Sequence, residues 1–256
     1  MSPNITSFNI PIRITKMYRL AALLLLSLLA INSSPTIALA QSDAEKHDAI
    51  RPVPREGGWM KRHESMNERV AKGNVDIVFI GDSITQGWEG RGKNVWAKFY
   101  GERNAVNLGI GGDRTQHVIW RLQNGNLKGI SPKAAVIMIG TNNSGSNSPE
   151  QIAEGVTEIV EILRNQTPKT KILILGTFPR GATKDDARRI VNEKSNQIVA
   201  KLADDSNIHY LDIGSNFLND DQTLSKEIMP DLLHLSEQGY QIWAESIESA
   251  LADLLR

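Results

Sequence analysis

The sequence predicts an α/β fold, a three-layer α/β/α sandwich built around about five parallel strands. Five short, apolar, largely β-branched runs each end at or just before a glycine, and helical patterns separate them. Apolar runs of this length are typical of strands buried on both faces. Alternation of strands and helices predicts parallel pairing through right-handed crossovers. The five runs are residues 75–80, 105–110, 134–139, 172–175 and 208–213.

Helices are predicted where apolar side chains recur every three or four residues. Residues 151–163 carry such a stripe, and residues 185–202 and 236–255 show similar spacing. Ser236 has the residue type of an N-cap for the last helix. The stripe of the first of these helices consists of Ile152, Val156, Ile159, Val160 and Leu163.

Composition excludes several classes of protein. The 256 residues include 29 basic and 29 acidic side chains, so the formal net charge is zero. Nucleic-acid-binding proteins usually show a basic excess, so no nucleic-acid partner is expected. The chain contains no cysteine, which excludes disulfides, thiolate metal sites and cysteine nucleophiles.

The N-terminal residues have the pattern of an export signal. Three basic residues and no acidic residue precede the apolar run 20–30, and the A-x-A sequence at 38–40 follows it. The alternative is an uncleaved membrane anchor, but the run is shorter than the roughly 20 residues that span a bilayer. We therefore expect a signal peptide over 1–40, a flexible arm over 41–56 and one domain over 57–256. This organisation predicts a secreted or periplasmic protein without a stable membrane anchor.

Polar segments follow the first three apolar runs, where an open parallel sheet binds its ligands. They are Gly81–Thr85, Gly111–Asp113 and Thr141–Asn143, and Asp231–His234 precedes the last helix. Each segment alone has an ordinary explanation as a turn, a loop cap or a solvated ion pair. Together they supply the groups that an acyl-transfer enzyme needs.

Each of these segments contributes a candidate to that chemistry. A serine hydroxyl becomes nucleophilic only when a base accepts its proton, so Ser83 needs a partner such as His234. Asp231 lies three residues before this histidine, close enough to orient the imidazole. The oxyanion needs preset donors, which the backbone N–H groups of Ser83 and Gly112 and the amide of Asn142 could supply.

The same residues carry a resemblance to a known family. Gly81-Asp82-Ser83, Gly112, Asn142 and Asp231-x-x-His234 resemble the four blocks of the SGNH (GDSL) hydrolases, in that family's order. Over about residues 75–255, the chain is similar to the catalytic subunits of platelet-activating factor acetylhydrolase IB within that family. Further matching stretches are 107–113, 117–122 with 124–125, 140–143, 179–181 and 234–235.

The resemblance implies a flavodoxin-like fold and metal-independent ester hydrolysis through an acyl-serine intermediate. Taken motif by motif, the resemblance implies that Ser83 is the nucleophile and the first oxyanion donor. Gly112 and Asn142 would be the other donors, His234 the base, and Asp231 its orienting partner. The resemblance also allows a homodimer.

Three functions fit this pattern. The first is an exported serine esterase that removes short acyl groups, acetyl foremost, from carbohydrates or small-molecule esters. The second is a lipid acylhydrolase with the same triad, as in lysophospholipases or PAF-acetylhydrolase-like enzymes. No extended apolar lid is evident, which favours the first. The third is a carbohydrate-binding protein without catalysis. A dinucleotide site is excluded because Arg114 stands where G-x-G-x-x-G requires glycine.

The histidines outside the four segments receive plainer interpretations. We expect His47 and His63 at the surface, His209 in a structural role within its strand, and His117 packed on the sheet, although it could approach the site. No histidines and carboxylates make a compact metal-binding pattern, so neither a metal nor a cofactor is expected.

Five further residues are of interest: two aspartates with an expected structural role, and an arginine and two tryptophans that each have two interpretations. Asp82 is expected to hold its loop through backbone N–H groups, and Asp113 to do the same. Arg180 could contact substrate or form a surface salt bridge. Trp88 and Trp96 could line a substrate pocket, but a partly buried core position is favoured.

Overall fold

The five predicted strands form one parallel sheet in a computed structural model that describes residues 47–256. The strand order is β2-β1-β3-β4-β5, and every pairing is parallel. This confirms the predicted α/β fold. The predicted signal peptide lies outside the described residues. The strands are β1 Ile77–Gly81, β2 Ala105–Gly109, β3 Ala134–Met138, β4 Lys171–Leu175 and β5 Ile208–Leu211.

Helices connect the strands, and three of them follow the predicted apolar stripes. The helix α5 begins with a capping box between Ser148 and Gln151, with Pro149 at its first position. Ser236 caps α7 by accepting a hydrogen bond from the Gly239 N–H. The helices are α1 Gly58–Ala71, α2 Ser83–Gln86, α3 Lys93–Phe99, α4 Thr115–Arg121, α5 Pro149–Gln166, α6 Ala187–Val199 and α7 Glu237–Leu254.

Two hydrophobic clusters lie on opposite faces of the sheet because successive strand side chains point to opposite sides. Val78 and Ile80 of β1 pack with α1, α4 and α5 in one cluster. Ile77 and Phe79 pack with α3 and α7 in the other, where Trp243 is fully buried. The sheet is thus covered on both faces. No helix between residues 47 and 256 combines the length and apolar character needed to cross a membrane.

The expectation that all five strands are buried on both faces is wrong for two of them. All residues of β1 and β3 are buried, whereas every residue of β5 is partly exposed, as are Ala105 and Asn107 of β2. The reason is the strand order, which places β2 and β5 at the two edges of the sheet. Edge strands have a neighbour on one side only, a property that an apolar run does not reveal.

The segment predicted as a flexible arm is in contact with the domain over its described part, residues 47–56. The ring of His47 lies 2.8 Å from a carboxylate oxygen of Glu154. The Ala49 carbonyl accepts a hydrogen bond of 2.7 Å from the Thr115 hydroxyl, and Ala49 is fully buried. This contact depends on Gly155 of α5, whose missing side chain leaves room for both partners.

Replacing Gly155 by alanine should destabilise the protein. A Cβ atom there would lie 2.6 Å from the Thr115 side chain and 2.9 Å from the Ala49 carbonyl oxygen. Alanine gains about 1 kcal/mol of helix propensity over glycine, but overpacking typically costs about 1–3 kcal/mol. We therefore expect Gly155→Ala to lower the free energy of unfolding in urea. Ser249→Ala, at an exposed position of α7, is the control. Unchanged or increased stability of Gly155→Ala would contradict the packing described here.

Candidate active site

Ser83 and His234 are brought into hydrogen-bond contact although 151 positions separate them in the sequence. The Ser83 Oγ atom lies 2.9 Å from Nε2 of His234. On the other side of the ring, Nδ1 lies 2.7 Å from Oδ2 of Asp231. Carboxylate, imidazole and hydroxyl therefore form one continuous chain. This is the arrangement in which a histidine can accept the proton of a serine.

The short spacing between Asp231 and His234 works because the loop folds back on its own carboxylate. Oδ1 of Asp231 accepts backbone N–H groups of Leu233 at 3.2 Å and His234 at 2.7 Å, which leaves Oδ2 for the imidazole. Leu232 takes a φ of 61°, a left-handed conformation that is rare for a bulky residue. Its carbonyl is held by the N–H of Gly181 in the loop after β4. The turn is thus stabilised by the Asp231 carboxylate within its own loop and by the loop after β4.

The hydrogen bonds of Asp231 favour its charged form. Burial raises the pKa of this carboxyl, but hydrogen bonds from the His234 side chain and backbone outweigh it and lower the pKa overall. An ionised carboxylate accepts hydrogen bonds only, so Nδ1 of the imidazole must carry the proton in this contact. Nε2 is then the ring nitrogen left to face the Ser83 hydroxyl, at 2.9 Å.

Ser83 is presented at the junction of β1 and α2. Asp82 precedes it as the N-cap, and its Oδ1 accepts the Ile84 N–H at 2.9 Å. This is the loop-holding role expected for Asp82. Tyr240 of α7 supports the same turn by donating its hydroxyl hydrogen to the Ile84 carbonyl at 2.6 Å. Because Asp82 is fully buried, the backbone around Ser83 is held from the protein interior.

Asn142 follows β3 and contacts the loops that follow β1 and β2. Its Nδ2 donates to the Asp113 carbonyl at 2.9 Å and approaches Oδ2 of Asp82 at 3.3 Å. The neighbouring Asn143 is fully buried and caps α4 by accepting the Thr115 N–H. The two adjacent asparagines thus differ in role. Asn143 ties two loops together, whereas Asn142 lies beside the residue that precedes the serine.

Gly112 belongs to the loop after β2, which passes directly beside Ser83. A Cβ atom built on Gly111 would lie 3.7 Å from Cβ of Ser83. Gly112 has a φ of 76°, a conformation that favours glycine. Its N–H has no hydrogen-bond acceptor within residues 47–256. The order β2-β1-β3 explains why the three loops that follow these strands meet here.

Asp113 does not hold backbone N–H groups as expected. Instead its buried carboxylate accepts three side-chain donors. These are Nε1 of Trp59 at 2.6 Å, Nε of Arg121 at 2.9 Å and Nη1 of Arg55 at 3.3 Å. Burial raises the pKa of Asp113, and the Arg121 charge opposes that rise. None of these three donors was predicted from the sequence. Only Trp59 carried a signal, because it begins the buried stripe of α1.

One other expectation about a polar residue is wrong. His63 is buried, not at the surface, because its ring packs against Trp59 and Trp120 and contacts the Asn124 carbonyl at 3.1 Å. Arg180 donates to the carbonyl and hydroxyl of Thr141 at 3.2 and 3.1 Å and forms no surface salt bridge within residues 47–256. A contact between Arg180 and substrate stays a prediction.

The remaining aromatic and histidine residues take structural positions. Trp88 is buried in the core, as favoured from the sequence, and Trp96 packs against the same cluster while partly exposed. His47 is largely covered by its contact with Glu154. The ring of His117 lies edge-on to Trp59, with ring centroids 6.4 Å apart. It accepts the Arg114 N–H at the start of α4, and burial, aided by nearby arginines, lowers its pKa to about 4.

Comparison with known proteins identifies the family. The sequence profile of the GDSL-like lipase/acylhydrolase family matches residues 79–242. The platelet-activating factor acetylhydrolase IB subunit alpha1 of Homo sapiens is 36% identical over 216 residues, which are 84% of this chain and 92% of that protein. The chain therefore belongs to the GDSL-like lipase/acylhydrolase family. It is an ester-hydrolysing enzyme.

Solved structures share the fold. An acetyl xylan esterase, AlAXEase, superimposes with a TM-score of 0.58 at 23% identity, covering 69% of this chain and all of that one (100%). A carbohydrate acetylesterase family member from Sinorhizobium meliloti gives a TM-score of 0.55 at 15% identity, covering 71% and 99%. At these identities the likeness concerns the fold alone.

The buried Asp82 should make stability depend on pH. Burial, reinforced by the nearby Asp113 carboxylate, raises the pKa of Asp82 to about 7 against the hydrogen bond from Ile84. In the unfolded chain the pKa should lie near the ordinary value of about 4. Between pH 4 and 7 the folded state therefore holds a proton on Asp82 that the unfolded chain has lost. The contribution of Asp82 to the free energy of unfolding then falls as pH rises from about 4 to 7.

Asp82→Asn should remove this component. The free energy of unfolding is measured by urea denaturation for both proteins. The value for the wild type minus that for the variant should fall from pH 4 to 7 and then level off. A difference that stays constant with pH would show that Asp82 does not hold a proton in the folded protein.

Proposed function

We propose that this protein is an exported serine esterase that hydrolyses short acyl esters, acetyl foremost, on carbohydrates. The observation that carries the proposal is the chain of contacts from Asp231 through His234 to the Ser83 hydroxyl, at 2.7 and 2.9 Å. Each group in this chain has one role. Asp231 orients the ring, His234 moves the proton, and Ser83 forms the covalent bond.

The reaction proceeds in two halves. In the first, Ser83 Oγ attacks the ester carbonyl carbon while its proton passes to Nε2 of His234. The tetrahedral intermediate collapses, the alcohol oxygen takes that proton and leaves, and an acyl-serine remains. In the second, water attacks the acyl carbon, gives a proton to Nε2, and the proton returns to Oγ as the carboxylic acid departs.

The negative oxygen of each intermediate needs donors. Ser83 is the first residue of α2, where a backbone N–H has no acceptor inside the helix. The Gly112 N–H is likewise unpaired within the described residues. Asn142 would join them by turning one N–H away from Asp82, to which its hydrogen bond is the longer at 3.3 Å. Removing one such donor typically costs about 3–4 kcal/mol of transition-state stabilisation.

The preference for small acyl groups on polar alcohols has support from the surface. Between residues 47 and 256, the exposed large hydrophobic side chains are Val53 and Ile190, which lie on different parts of the chain. A surface that docks on lipid normally presents a contiguous apolar patch. Of two proteins with the same fold, one is named an acetyl xylan esterase and the other a carbohydrate acetylesterase family member. Export rests on the pattern in residues 1–40.

A second candidate is a lipid acylhydrolase. Its support is the 36% identity to a platelet-activating factor acetylhydrolase subunit. The two candidates share the triad and differ in the alcohol that leaves; a lysophospholipase-like enzyme would differ also in the length of the acyl group. They therefore require a test on the alcohol part of the substrate.

Ser83→Ala should abolish hydrolysis of p-nitrophenyl acetate, because no other hydroxyl contacts His234 within residues 47–256. His234→Ala should be similarly impaired, and losing either member of a triad costs about a millionfold in turnover. Circular dichroism should show both variants folded. Lys61→Ala, at an exposed position of α1, is the control and should keep full activity. Turnover in Ser83→Ala at the wild-type rate would remove Ser83 from the mechanism.

A substrate screen should favour acetylated oligosaccharides over phospholipids with a short acyl chain, with acetate release as the measurement. In a series of p-nitrophenyl esters, kcat/KM should fall as the acyl chain grows beyond a few carbons. Ser83→Ala must release no acid from any substrate that the wild type is said to hydrolyse. A higher kcat/KM for the phospholipid would replace the first proposal by the second. Preference for long acyl chains would reject the short-chain esterase and favour a lysophospholipase-like enzyme.

A further inference from the structure

Arg55 reaches the loop beside Ser83 from the segment that precedes the domain. Its Nη1 donates a hydrogen bond of 2.8 Å to the Gly111 carbonyl. The guanidinium also lies against Gly112, where a Cβ atom would be 3.2 Å from Nη1 and 3.3 Å from Nη2. The side chain therefore contacts both residues of one peptide unit.

That peptide unit contains the Gly112 N–H. A peptide bond is planar and trans, so its carbonyl and N–H point in opposite directions. When Arg55 holds the Gly111 oxygen on one side, the Gly112 N–H must point away from Arg55. A hydrogen bond that fixes the Gly111 carbonyl therefore also fixes the direction of the Gly112 N–H.

The two consecutive glycines make such control necessary. Glycine occupies left-handed and right-handed regions with similar ease, so the peptide between Gly111 and Gly112 could rotate at little steric cost. Gly112 has a φ of 76° in the observed orientation. On the N-terminal side, the Gly111 N–H donates to Oε1 of Gln86 at 2.7 Å. Arg55 supplies the corresponding restraint on the carbonyl.

The ion pair with Asp113 does not explain the position of Arg55 by itself. Nη1 lies 3.3 Å from the Asp113 carboxylate but 2.8 Å from the Gly111 oxygen. Asp113 also has shorter hydrogen bonds from Trp59 and Arg121. The Arg55 side chain is 39% exposed, so the ion pair is partly solvated and weak. Its shorter contact is the one with the loop carbonyl.

We infer that Arg55 is a positioning residue for the oxyanion hole: it holds the Gly111 carbonyl and so keeps the Gly112 N–H turned toward the acyl group on Ser83. The inference rests on the proposed function, because it takes Gly112 as an oxyanion donor. It adds that the segment before residue 57 is part of the catalytic apparatus. Docking of that segment, through Ala49 and Thr115 among others, places Arg55 at the loop.

The test compares Arg55→Ala and Arg55→Lys with the wild type on p-nitrophenyl acetate. Loss of a donor in an oxyanion hole lowers kcat about 10²–10³-fold. Since Arg55 acts through the peptide, we expect Arg55→Ala to lower kcat about 10–100-fold with little change in KM. Lysine can still donate to the carbonyl, so Arg55→Lys should keep more of the turnover. Lys61→Ala serves again as the charge-matched control.

A chemical rescue separates positioning from a structural role. Ethylguanidinium added to Arg55→Ala should bind in the vacated space and recover part of kcat, while wild type and Lys61→Ala should not respond. Circular dichroism and thermal unfolding should show the variant folded under assay conditions.

Three results would overturn the inference. These are an unchanged kcat in Arg55→Ala, a raised KM with unchanged kcat, or a lowered kcat that neither lysine nor ethylguanidinium restores. Ser83→Ala, assayed in parallel, keeps the two proposals distinguishable. If Ser83→Ala is active, the proposed function fails; if it is inactive while Arg55→Ala is fully active, only the role of Arg55 fails.

Discussion

The buried carboxylate of Asp113 holds the active-site loops together. It accepts donors from the segment before α1, from α1 and from α4, while its backbone carbonyl accepts the Asn142 amide. Two charges taken out of water must be paired well, and breaking a buried pair typically costs about 3–5 kcal/mol. Arg121 meets this demand, because it is fully buried and bonds both Asp113 and Asn126. The loop beside Ser83 is therefore anchored to a network that is costly to disturb.

That network continues from Arg121 through Asn126 to His63 on the buried stripe of α1. The amide of Asn126 contacts Nδ1 of His63 at 3.2 Å, and the other ring nitrogen contacts the Asn124 carbonyl. Burial lowers the pKa of His63, and the Arg121 charge adds to the effect. A neutral imidazole can donate through one nitrogen and accept through the other, as these contacts require. His63 is thus a structural support for the loop, at a distance from the chemistry.

Unlike the loops that carry the proposed oxyanion donors, the Asp231–His234 segment is organised locally. Three hydrogen bonds join the carboxylate to its own loop and to the imidazole, so the proposed base is oriented within four residues. The proposed donors come from loops that follow three different strands, and their relative positions depend on the whole sheet. A change of sheet register would therefore separate Gly112 and Asn142 from Ser83 while leaving the Asp–His pair intact.

The sequence alone determined the strands, the three helices α5, α6 and α7, and the four polar segments, because periodic burial and strand-end position are local properties. It also determined that Ser83, Asp231 and His234 are the residues to test. Only the tertiary structure decided which strands are edges, that His63 is buried, and that Arg55 and Arg121 meet Asp113. The physical reason is that a polar side chain's partner can lie 50 or more residues away, as Arg55 and Asp113 do. No periodicity or spacing records such a pairing, which exists only once the sheet has brought the loops together.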